Sequence, residues 1–199
     1  MQLHTFALSA LLALGSLSAQ TQLVRGEVDG IQGTNRFQLK CTTVRLTSAN
    51  LNLQALHDLT RQNNVVLDMQ VVDSFGNGSS LEVVAATPVT RNFDMGNLRI
   101  GRTETWEVFA APGSQVWVLV GGGGDTGYTP VGAIGTWLLG PSAVPFLNGT
   151  TNAAGSARFA VTMPTVPGLV GAVFAAQSVV SSGGALSITN AECKEVRAN

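Results

Sequence analysis

Hydrophobic and polar positions alternate over short stretches of this chain, and that alternation predicts β-strands along most of its length. Within Asn35–Cys41, apolar and polar side chains fall on opposite faces, and in an earlier stretch Val24 and Val28 lie opposite Arg25. Turn-forming residues such as Asn77-Gly78 separate the stretches. The pattern therefore indicates a protein built mainly from short strands.

One segment follows a helical period instead. Leu51, Ala55, Leu56 and Leu59 share a face of a helix, and Asn50 is expected to cap its N-terminus. The strands expected around this helix are Leu23–Val28, Asn35–Cys41 and Val44–Leu46 before it, and Val65–Val72 and Leu81–Ala86 after it.

Three strands, one helix and two strands is the order of elements in the OB-fold, and residues 20–88 resemble that fold. The resemblance implies a five-stranded OB-like barrel with one short helix. OB-folds bind oligonucleotides or oligosaccharides on their strands and loops.

A linker is predicted over 89–103, followed by an antiparallel β-sandwich over 104–199, because short strands recur there between turn signals. The expected strands are Thr105–Ala110, Val116–Val120, Gly135–Leu139, Ala157–Thr162, Ala172–Val180 and Ala185–Ala191. The residues expected to form the core between its two sheets are Phe159, Val161, Val173 and Leu186.

The segments 149–157, 167–177 and 186–191 resemble a β-sandwich module near the C-terminus of secreted bacterial proteins of unassigned function, as in planctomycete-like bacteria. The resemblance covers about residues 100–197 and implies a β-sandwich and export. It brings no catalytic residues with it.

Residues 1–19 are predicted to be a secretory signal peptide. Phe6–Leu17 is apolar but too short to span a bilayer, and Ser18-Ala19-Gln20 offers a small residue for cleavage. The protein is therefore expected outside the cell, at the cell surface or in the periplasm, with no membrane span after the leader is removed. In such an oxidising compartment Cys41 and Cys193 are expected to form a disulfide, the alternative being two free buried thiols.

The formal net charge is −1, so no overall positive field favours nucleic acid. Basic residues do gather in the first three predicted strands, at Arg25, Arg36, Lys40 and Arg45. Binding of single strands also needs exposed aromatic platforms. The first half offers only Phe37, on its expected core face, and Phe75. No nucleic-acid partner is expected.

Candidate chemistry is sparse. After the leader, His57 is the one histidine, and it is expected on the solvated side of the helix. Asp125-Thr126-Gly127 matches the aspartic-protease tripeptide, but it occurs once, between Gly124 and Tyr128, and is interpreted as a loop. No catalytic residue, metal site or cofactor is predicted.

The large aromatic residues lie in the second half, where Trp117 and Trp137 are expected in the core. Trp106, Tyr128 and Asp125 are the candidate ligand-binding residues, with Tyr128 the most exposed. The sequence favours a secreted, non-catalytic structural or interaction protein that binds a protein or a polysaccharide, of undetermined oligomeric state. The alternative is a hydrolase that pairs Asp125 with a second carboxylate.

Overall fold

The computed structural model describes residues 21–62, 64–124 and 126–199, so the predicted leader lies outside the described residues. Within these ranges the chain is mostly β-structure with one α-helix, and the all-β fold class is confirmed. The elements of the first half are β1 (Gln22–Gly26), β2 (Val28–Gly30), β3 (Phe37–Leu39), β4 (Arg45–Thr47), α1 (Leu53–Gln62), β5 (Val65–Val72) and β6 (Ser80–Thr90).

These strands form one sheet in the order β1-β5-β6-β4-β3-β2. Neighbours are antiparallel except β4 and β6, which run parallel. The two edge strands, β1 and β2, are consecutive stretches separated by Glu27 alone. The sheet therefore begins and ends on the same short stretch of chain and curls back toward its own first strand.

The helix lies between β4 and β5, as the sequence predicts, but Asn50 does not cap it. The side-chain oxygen of Asn52 accepts a hydrogen bond from the backbone N–H of Ala55 at 3.1 Å, so Asn52 occupies the capping position. The prediction placed the cap two residues too early because it counted Leu51 in the helix, whereas the first turn begins at Leu53.

The second half contains three sheets. Its strands are β7 (Phe93–Met95), β8 (Leu98–Arg99), β9 (Thr103–Phe109), β10 (Gln115–Gly122), β11 (Thr126–Pro130), β12 (Thr136–Leu139), β13 (Val144–Thr150), β14 (Ser156–Thr162), β15 (Val173–Ser182), β16 (Ala185–Ile188) and β17 (Glu192–Arg197). One sheet has the order β13-β10-β15-β17-β8, with β16 also paired to β15. A second has the order β14-β9-β7, and β11 and β12 form a separate hairpin. Apolar side chains of the first two sheets form a shared core.

The segment expected to be a linker, 89–103, contains β7 and β8. Its residues Phe93, Met95 and Leu98 are buried in the core of the second half. The division of the chain at this segment stays a prediction.

Two of the four expected core residues of the second half are exposed. Val161 is buried and Phe159 packs against the core, but the predictions for Val173 and Leu186 are wrong, with 44% and 49% of their surfaces exposed. Val173 is the first residue of β15, and the register places Leu186 of β16 beside Ser181 and Gln115, on the side of the sheet that faces away from the core. Residues on β10 take their place: Val116 and Val118 are fully buried.

Candidate functional site

The three predicted ligand-binding residues do not form one surface. Trp106 is only 2% exposed and packs in the core of the second half. Tyr128 is half-buried against the core of the first half, and its hydroxyl donates a hydrogen bond to the side-chain oxygen of Gln22. Asp125 lies outside the described residues. The expectation that Tyr128 is the most exposed of the large aromatics is therefore wrong.

The burial of Tyr128 has an electrostatic signature. Desolvation, with a smaller contribution from the negative charge of Asp73, raises the pKa of Tyr128 to about 12. Its phenol therefore keeps its proton to a higher pH than a solvated tyrosine does. The hairpin that carries Tyr128 is also tied to β1 by Thr136, whose hydroxyl donates to the carbonyl of Leu23 at 2.7 Å. These contacts join the two halves of the chain.

Trp117 is the most exposed tryptophan of the second half, which corrects its prediction as a core residue. It is 40% exposed on β10, whose other face carries the buried Val116 and Val118. Successive residues of a strand point to opposite sides. Trp117 therefore stands on the outer face of the sheet.

The strand register places two rows of side chains on this outer face. One row crosses four strands as Asn148, Trp117, Val179 and Ile188. The next row runs Thr150, Gln115, Ser181 and Leu186. We call these eight residues the outer face, of which Ile188 is itself buried next to Gly135. The outer face presents an indole ring with amides and hydroxyls beside it, and none of the eight carries a formal charge.

One side of the outer face is bounded by the hairpin of β11 and β12. The buried side chain of Gln177 on β15 holds this hairpin in place. Its oxygen accepts from the N–H of Leu138 at 2.9 Å, and its amide donates to the carbonyls of Thr136 at 3.0 Å and Thr189 at 2.9 Å. The bonds to Leu138 and Thr136 therefore tie the hairpin to β15 beside the outer face.

His57 is buried, so its prediction as a solvated residue is wrong. Its Nδ1–H donates to the backbone carbonyl of Val28 at 2.8 Å, and its ring lies near that of Phe37. The imidazole fixes α1 against β2. No local pattern indicates this role, because the partner is a backbone carbonyl 29 residues away in the chain.

A cluster of four charged side chains lies where the two halves meet. The guanidinium of Arg91 donates to Glu27 Oε1 at 2.6 Å and to Glu192 Oε1. Lys40 Nζ lies 2.8 Å from Glu27 Oε2 and 3.6 Å from Glu192 Oε2. Burial raises the pKa of Glu192, and the positive charges of Lys40 and Arg91 oppose that rise. Each carboxylate is held by the same two cations, which suits a structural role.

The structure joins Cys41 and Cys193 in a disulfide beside this cluster, with their Cα atoms 5.4 Å apart. Cys41 follows β3, and Cys193 lies in β17, so the bond fastens the C-terminal strand to the first half. Cys41 adopts a positive φ of 68°, which turns the chain out of the strand.

The basic residues of the first strands do not form one patch. Arg25 makes two hydrogen bonds of 2.6 Å to Asp68, which raise the pKa of Arg25, and Lys40 belongs to the buried cluster. Arg36 and Arg45 are exposed and line an open depression of about 500 Å³ beside the start of α1.

A scan against protein-family models, a search of curated proteins and a search of solved structures each found no match for this chain. Among the described residues, no helix is both long and apolar enough to cross a membrane. The same part of the chain brings no three histidine, cysteine, aspartate or glutamate side chains together as a metal site.

Proposed function

We propose that this protein is an exported, non-catalytic binding protein of the cell envelope or extracellular space, and that its ligand is an uncharged polysaccharide. The observation that carries the proposal is the exposed indole of Trp117 on the outer face of the sheet. A sugar ring has an apolar face of C–H groups that packs on an indole, while its hydroxyls seek hydrogen-bond partners.

The neighbours of Trp117 fit such a ligand. Asn148 lies directly opposite it on β13, and Gln115 lies two residues away on β10. Their side-chain amides both donate and accept hydrogen bonds, as sugar hydroxyls require. The outer face carries no formal charge, so an anionic or cationic polymer gains nothing there by charge pairing.

The resemblance to the OB-fold enters the same proposal. The strand order β1-β5-β6-β4-β3-β2, the parallel pair β4 and β6, and the position of α1 before β5 support an OB-like barrel over residues 20–88. We interpret residues 104–199 as the sandwich that presents the binding face. The hydrolase alternative requires Asp125, which lies outside the described residues. The buried carboxylates Glu27 and Glu192 both accept hydrogen bonds from Arg91, which supports a structural role for them and not an acid–base role.

Replacing Trp117 by alanine tests the binding face. The mature protein is incubated with insoluble cellulose, chitin, xylan and mannan, and the bound fraction is measured over a range of polysaccharide concentrations. We expect wild-type protein to bind at least one polymer. Trp117→Ala should weaken that binding about tenfold or more, because an aromatic side chain that becomes buried in a complex supplies much of the binding energy.

Phe109→Ala is the matched control, because Phe109 is 42% exposed on β9 of the other sheet, against 40% for Trp117. It should leave binding unchanged. Saturable binding that Trp117→Ala and Phe109→Ala reduce equally would contradict the outer-face site. The protein could bind none of the polymers and instead capture a protein from envelope extract, with Trp117→Ala abolishing that capture. This result would favour a protein as the ligand over a polysaccharide.

Export is tested by intact-mass measurement of the protein from its native host. The mass should correspond to a chain beginning near Gln20, because the predicted cleavage follows Ala19. A full-length product that remains in the cytoplasm would contradict both the leader and the proposed location.

A further inference from the structure

A cavity of about 260 Å³ opens in the second half, and Trp117 is not part of its wall. Both sheets contribute to it: Trp106 comes from β9, Val161 from β14 and Phe174 from β15. Leu169, in the connection between β14 and β15, closes one side. The cavity is therefore a gap in the core of the second half, separate from the outer face.

The lining of this cavity is almost entirely apolar. None of the described residues that line it carries an ionisable group. Its one hydroxyl, that of Thr162, is already within 2.7 Å of the Thr103 hydroxyl. Phe146 and Pro164 are exposed and also line the cavity, so it communicates with solvent along their side. A charged ligand would lose its hydration in the cavity without gaining a partner.

Trp106, which lines this cavity, carries one hydrogen-bond donor without a partner. Its indole N–H is buried and has no acceptor among the described residues. Buried polar groups in folded proteins almost always have a partner, and a donor without one costs free energy. A ligand that carries a hydrogen-bond acceptor would remove this cost.

We infer that the cavity binds a small uncharged molecule consisting of one aromatic ring and a short substituent with a hydrogen-bond acceptor. A cavity of about 150 Å³ is sufficient for benzene, so this larger one has room for the substituent as well. The rings of Trp106 and Phe146, whose centroids lie 5.7 Å apart, favour edge and face contacts with an aromatic ligand. This site is independent of the polysaccharide proposal, because the two share no residue.

Two probes of similar size test the ligand class: acetophenone, which has a carbonyl acceptor, and ethylbenzene, which has none. Their binding to the mature protein is followed by saturation-transfer NMR titration of the ligand signals. Acetophenone should bind saturably, and ethylbenzene about fivefold more weakly, because it leaves the Trp106 N–H without an acceptor. Equal affinities would overturn the role of the acceptor, and no saturable binding of either probe would overturn the site.

Leu169→Trp fills the cavity from its loop side and should weaken acetophenone binding about tenfold or more. Val170→Trp is the control, since Val170 is the next residue, is exposed and does not line the cavity. It should change the affinity by no more than about twofold. Should Leu169→Trp fail to fold by circular dichroism, Val120→Phe fills the cavity from β10 and takes its place. If a folded variant with a filled cavity binds acetophenone as tightly as wild type does, the ligand binds elsewhere and the inference is overturned.

Discussion

Replacing Arg91 by alanine should lower the free energy of unfolding by about 3–5 kcal/mol, because two buried carboxylates lose the cation that donates a hydrogen bond to both of them. Arg91 contacts both Glu27 and Glu192, and Glu192 is completely buried. Lys40 remains near both carboxylates, but it lies 3.6 Å from Glu192, too far to replace the hydrogen bond that Arg91 donates. The measurement is chemical denaturation followed by tryptophan fluorescence.

Arg158→Ala is the matched control for this prediction. Arg158 also pairs with a glutamate, Glu107, at 2.7 Å, but its own side chain is largely exposed. Exposed ion pairs contribute about 1 kcal/mol or less, so this variant should unfold almost like wild type. Equal losses in the two variants would contradict the structural importance of the buried cluster.

Removing the disulfide by the double substitution Cys41→Ser and Cys193→Ser should cost about 4–5 kcal/mol. The two cysteines are 152 residues apart, and the chain-entropy model gives its largest stabilisation for such long closed loops. Denaturation of wild-type protein with and without a reductant provides a second measurement of the same quantity.

The reductant also supplies the control, because it should not change the unfolding curve of the double variant. A wild-type curve that is unaffected by complete reduction, verified by thiol titration, would show that the cross-link contributes nothing to stability. Two titratable thiols in oxidised protein from its native host would contradict the disulfide itself.

Local pattern predicted many of the strands, but not which side of each strand faces the core. On β10 the alternation separates Val116 and Val118 from Trp117 and Leu119, and both sets are apolar. Period alone cannot decide which set faces the core. The valines face the second sheet, whereas the outer face is only partly covered by the β11–β12 hairpin. The alternation therefore predicts the strand that carries Trp117 but not the side of the sheet on which Trp117 lies.

Some elements gave little local signal. The strand β13 contains Pro145 and Gly149, two residues that ordinarily mark turns, and it lies at the edge of its sheet. Its partner β10 supplies the pairing that the local sequence does not favour. The role of His57 was equally hidden, since a carbonyl 29 residues earlier in the chain accepts its hydrogen bond.

The cluster of Arg91 with Glu27 and Glu192 could not be predicted from spacing, because its members are joined only by tertiary structure. The pairing of Cys41 with Cys193 could be predicted from the sequence, because the chain contains only two cysteines. The outer face could be predicted from the sequence only in part. Its strands were foreseeable, but the register that aligns Asn148 with Trp117 required the structure.

The core of the first half includes two residues from much later in the chain, Leu138 and Ala191. Glu192 and Cys193 follow at once, so one short C-terminal stretch also completes the charged cluster and the cross-link. During synthesis, the first half therefore emerges long before the residues that complete it. The first sheet is therefore complete only after residues 191–193 have joined it, and the two halves should unfold together in a single cooperative transition.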